Sequence, residues 1–137
     1  MAYIRIVIWL GVILDSLSVI QYCLPETTMD ALGITVTVTP VLRFVLIQTA
    51  ALMTAWTLLL VWVDRAPLER QVVLLLTAQI AFGIALSFTY LIAEGTLTGL
   101  GQVYLVAPLI TAGLFSSAYI IARFLSRTET AIRESEP

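Results

Sequence analysis

Four apolar runs, residues 6–24, 41–63, 72–93 and 103–125, occupy most of a chain of 137 residues. At 1.5 Å of rise per residue, each would form a helix of about 30 Å, the thickness of a bilayer's hydrocarbon layer. That one feature removes most soluble architectures. The composition agrees: 60% of residues are hydrophobic and 12% charged, where a soluble domain carries roughly a quarter charged. The sequence predicts an all-α membrane protein, an antiparallel bundle of four transmembrane helices. Residues 1–125 would form one domain, and the polar stretch 126–137, SRTETAIRESEP, would be a disordered cytoplasmic tail.

Several functions are excluded early. With seven arginines, no lysine and a net charge of −2, the chain lacks the basic patch that nucleic-acid binding requires. A single cysteine, Cys23, cannot close an internal disulfide, and the absence of histidine removes the usual zinc, iron and haem ligands. No cofactor is expected, and no paired-carboxylate motif suggests an enzyme. The first run is too long for a secretory signal and ends in QYCLPE without small cleavage-site residues, so an uncleaved anchor is expected.

Arginine placement sets the expected orientation. Arg5, Arg65, Arg70, Arg123, Arg127 and Arg133 fall on one side of the four runs and Arg43 alone on the other. The positive-inside rule then puts both termini in the cytoplasm, in a cell membrane. The loops DRAPLERQ and EGTLTGLGQ read as turns between antiparallel helices. The outer linker from Pro25 to Pro40 ends in ITVTVTP, whose alternation suits an extended segment resting on the bundle mouth, or an edge offered to a partner. Thr39 and Pro40 suit the N-cap and first residue of the second helix.

Asp15 stands inside the first run, where an ionisable group costs several kcal/mol unless partnered or neutralised. At 100° per residue it shares a face with Gly11, Ser18 and Tyr22. Comparable small or polar stripes run through Gln48, Ala51 and Ala55; through Gln79, Gly83, Ser87 and Tyr90; and through Pro108, Thr111, Ala112, Ser116 and Tyr119. In lipid such stripes are expected to face inward. Counted from the outer ends, Asp15, Gln48, Ser87 and Thr111 all lie about 9–14 Å deep, and so form a candidate polar layer. There Asp15 would either carry its proton and tie helices together, or relay protons or cations. Arg43 opens the second helix and needs an acidic partner. Glu94 at the outer rim is the first choice, with Glu26 and Asp30 as competitors, and the site is an ion pair or an anion or headgroup contact. Of the three tryptophans, Trp9, Trp56 and Trp62, the last fits an interfacial anchor.

The first run closes on CLP, the second opens through PVLRF, an arginine-bearing hairpin follows, and AEG ends the third. This layout resembles the DoxX-like group of small four-helix membrane proteins across most of the chain. The resemblance implies a small integral membrane protein, in some members an accessory to redox complexes, and brings no catalytic residues. The leading expectation is a non-enzymatic accessory or interaction protein whose partners are the lipid bilayer and a membrane protein or second copy of itself. The alternative is a small proton- or cation-coupled transporter or channel working through Asp15.

Overall fold

The structure, a computed structural model, describes residues 1–31, 37–95 and 105–135. It contains α1 (Ala2–Cys23), α2 (Pro25–Ala31), α3 (Pro40–Asp64), α4 (Gln71–Ala93) and α5 (Val106–Ser135), with no strand among the described residues. α1, α3, α4 and the first 23 residues of α5 (Val106–Thr128) are each long and apolar enough to cross a membrane. Their exterior is the reverse of a soluble bundle's. Between 11% and 28% of each apolar window is buried within the protein, and large side chains such as Ile6, Leu52 and Phe124 stand 66–72% exposed. Only lipid would cover that surface without penalty. The fold is that of a small membrane protein.

Helix boundaries follow local chemistry. At the start of α3, the Thr39 hydroxyl accepts a hydrogen bond from the Leu42 amide at 3.2 Å and Pro40 takes the first helical position, as expected. α4 ends at Glu94, after which Gly95 adopts φ +71° and its amide bonds the Ile92 carbonyl at 3.0 Å. Only glycine turns there without strain.

Two further stretches are helical. The first part of the outer linker is helical, as α2, with Pro25 at its first position and Glu26 in its first turn. The Thr28 hydroxyl bonds the Gln21 and Leu24 carbonyls at 3.1 and 3.0 Å, folding α2 back on the end of α1. The first three residues of the alternating ITVTVTP segment, 34–36, lie outside the described residues, and Thr37–Thr39 take no regular secondary structure. The polar tail is also helical as far as Ser135, because no glycine or proline stops α5 before Pro137.

Packing is uneven around the bundle. α1 lies along α3 and α4 along α5, α1 and α5 join the two pairs, and α3 and α4 touch sparingly. The buried core gathers at one end, from Ile4, Val7 and Ile8 of α1, Leu60 and Val63 of α3, Leu74 and Ala78 of α4, and Phe115, Ala118 and Ala122 of α5. The Phe115 ring fills the notch left by Gly11, where an added Cβ would lie 2.5 Å from its Cζ. This end also holds the polar clasps. Arg5 Nε lies 3.6 Å from Asp64 Oδ1, Trp9 Nε1 donates to Asp64 Oδ2 at 3.3 Å, and Tyr3 Oη and Ser117 Oγ share a hydrogen bond of 2.7 Å. Arg70 stacks over the Trp62 ring at 3.5 Å and donates to the Trp62 carbonyl, closing the hairpin between α3 and α4.

A membrane-embedded cavity at Asp15

Beyond the Phe115 plug the helices separate and enclose a cavity of about 340 Å³. All four long helices contribute to its wall, with Asp15, Ser18 and Tyr22 from α1, Trp56 from α3, Thr77 from α4 and Thr111 from α5 among the polar and aromatic members. The remainder is chiefly aliphatic. The cavity exists because the core packs at one end, while the sparse contact between α3 and α4 leaves a gap at the other. Leu17 of α1 and Ile80 and Ile84 of α4 line it and remain 52%, 40% and 36% exposed, and Gln21 and Ala107 at its wall are exposed as well, so it is open to the outside of the bundle.

The hydroxyls around the cavity are satisfied within their own helices. Ser18 donates to the Leu14 carbonyl at 3.0 Å, Thr77 to the Val73 carbonyl at 2.8 Å and Thr111 to the Ala107 carbonyl at 2.9 Å. Trp56 Nε1 donates to Thr77 Oγ1 at 3.3 Å, bridging α3 and α4 across the floor. Asp15 differs. Its Oδ2 is buried without a hydrogen-bond partner, an arrangement that in an apolar wall leaves strong acceptor capacity unused.

The proposed four-residue layer is not assembled. Asp15 and Thr111 line the same cavity, whereas Gln48 and Ser87 stand exposed on the outside of α3 and α4. Ser87 bonds the Gly83 carbonyl of its own helix at 3.1 Å, and that self-satisfaction is why a serine stripe need not face inward. Gln79, Gly83 and Tyr90 are likewise exposed, as are Ala51 and Ala55; α4 turns its alanine ridge of Ala78, Ala81 and Ala85 inward instead. Nothing in the structure accounts for the outward Gln48 and Gln79. The α1 stripe does face inward, through buried Gly11 and half-buried Asp15, Ser18 and Tyr22. Sequence reasoning missed Thr77 and the inward role of Trp56. Their signal was weak, since a threonine and a tryptophan in apolar helices more often pack than line a site.

Arg43 pairs with Glu26 of α2 and not with Glu94. The correction has a simple cause: α2 returns along the end of α1, whose neighbour is α3, while the α4 end carrying Glu94 belongs to the other helix pair. Among the described residues no group of three or more His, Cys, Asp or Glu side chains is placed to hold a metal ion.

Among the described residues, four membrane-length helices wall a cavity, which defines the class, a small multi-pass membrane protein. No family model, curated protein or solved structure matches the chain.

Proposed function

We propose that the chain is a non-enzymatic accessory protein of the cell membrane, a role in line with the resemblance to DoxX-like proteins, built as an antiparallel four-helix bundle whose arginine placement favours both termini in the cytoplasm. Its working part is the cavity at Asp15, which holds a small molecule for a membrane-protein partner or a second copy of the chain. The observation carrying this reading is the buried, unpartnered Oδ2 of Asp15 in a cavity walled by all four helices. A carboxyl kept to tie helices together would be bonded across the bundle. A carboxyl kept to meet a ligand is left with capacity to spare.

The same residue favours a second reading, a proton- or cation-coupled transporter. The Phe115 plug against Gly11 counts against it, because a transported species would have to pass the most closely packed part of the molecule.

Two measurements on reconstituted protein separate these roles. With the protein in liposomes under a pH gradient, native and Asp15→Asn forms are expected to give the same slow proton leak as empty vesicles. A leak that needs Asp15 would replace the accessory reading with the transporter. Asp15→Leu is expected to match or exceed the native thermal stability in detergent, since it removes an unsatisfied buried acceptor worth about 1–3 kcal/mol. A marked loss of stability would instead make Asp15 a structural tie.

A further inference from the structure

The cavity's chemistry specifies more than its existence, and the following rests on the reading of it as a ligand site. Asp15 supplies a carboxyl with one buried, unpartnered oxygen. The chain has no lysine, and no arginine lines the cavity. Arg5 is engaged by Asp64 and Arg43 by Glu26. A counter-charge for ionised Asp15 would therefore come from outside the chain.

Three features of the wall describe the cation. Trp56, Tyr22 and Phe88 all line the cavity, and aromatic faces attract ammonium groups more strongly when water is excluded. The aliphatic members Leu14, Leu17, Ile80 and Ile84 require an apolar body attached to the charge. A bare inorganic cation would need several oxygen ligands to replace its water, whereas the wall is chiefly aliphatic and aromatic and Asp15 is its only carboxyl among the described residues. The volume of about 340 Å³ sits at the small end of ligand pockets. A phosphate-bearing molecule is disfavoured by the absence of any basic side chain at the wall.

We infer that the cavity binds a small lipophilic ammonium compound, its cationic nitrogen against the Asp15 carboxylate and the aromatic faces, its apolar body towards Ile80 and Ile84. Entry is lateral, from the bilayer, between the helices that wall the cavity. A lipophilic cation reaches that mouth by partitioning into the membrane, and no aqueous pore is needed.

The test uses full-length protein in phosphatidylglycerol nanodiscs and equilibrium dialysis, with uptake by empty nanodiscs subtracted. Octylammonium is the probe and octanol its uncharged counterpart. Native protein is expected to bind the cation saturably and octanol about tenfold or more weakly, the factor expected of one charge-assisted contact. Asp15→Asn should lose that preference, and Ala81→Phe, which fills the cavity, should lose both ligands. Ile84→Trp at the mouth replaces Ala81→Phe if the latter does not elute as a folded monodisperse species. Equal binding of cation and octanol, unchanged in Asp15→Asn, overturns the ammonium assignment while leaving the cavity a ligand site. No saturable binding by native protein, or binding untouched by both filling variants, overturns the ligand-site reading as well.

Discussion

A methyl group added at Gly11 would lie 2.5 Å from Phe115 Cζ and 3.2 Å from Leu60 Cδ1, closer than carbon atoms tolerate. Two effects therefore oppose each other in Gly11→Ala. Helix propensity favours alanine by about 1 kcal/mol, while overpacking a closed core costs about 1–3 kcal/mol. Phe115 is 1% exposed and has nowhere to move, so the overpacking should win. Gly11→Ala is expected to lower the thermal midpoint in detergent, and Gly11→Ala combined with Phe115→Leu to recover it. A more stable single variant would mean that the ring does not occupy the notch. At this scale the sequence was partly readable. Asp15 and Gly11 announce themselves, one as a charge in an apolar run and the other through the helical face they share. Thr77 does not, since its importance comes from meeting Trp56 across two helices, a relation that one-helix periodicity cannot express.

Whole helices were the most legible level, because membrane thickness fixes their length and few other structures satisfy the backbone in lipid. The expected runs 41–63 and 72–93 differ from α3 and α4 by a residue at most at either end. Which face each helix turns inward was much less legible. A soluble helix buries its apolar stripe, but in lipid both faces are apolar, and Ser or Thr can satisfy itself at the i−4 carbonyl. Thus α4 buries Ala78, Ala81 and Ala85 while Gln79, Gly83 and Ser87 face out. Helix neighbours were similarly hidden, and with them the partner of Arg43. In the Arg43–Glu26 pair both side chains are more than half exposed, and exposed pairs contribute about 0–1 kcal/mol. A double-mutant cycle on Arg43→Ala and Glu26→Ala should give a coupling within that range, shrinking as salt is raised. The matching cycle on Arg43→Ala and Glu94→Ala should give none. A larger Glu94 coupling would place α4 beside α3 at the outer rim and undo the helix pairing on which the lateral gap depends.

For the molecule as a whole, the closed core, the clasps and the arginines all belong to one end. Arg5, Arg65, Arg70 and Arg123 surround the helix ends that carry the Ile4, Val63, Leu74 and Ala122 core, and Asp64 is bound by Arg5 and Trp9 there. The cavity and the lone Arg43–Glu26 pair belong to the other half. In the proposed orientation the closed end faces the cytoplasm, because the arginine bias counts residues in short loops near helix ends and the hairpin between α3 and α4 is such a loop. The cavity then lies in the outer leaflet half, and the orientation decides which leaflet supplies its ligand. Reporter fusions after the C-terminus and within the 66–69 hairpin are expected to give cytoplasmic signals, and a fusion in the 96–104 loop an external one. The hairpin fusion guards against misreading the tail, because an odd number of crossings would separate the two cytoplasmic reporters. If both report outside, the bundle is inverted, and the ligand would enter from the inner leaflet. Reversing the bias tests the cause directly: Arg65→Gln with Arg70→Gln, leaving Arg5 in place, should weaken the cytoplasmic hairpin signal. An unchanged signal would show that Arg5 and the α5 arginines hold the orientation without the hairpin.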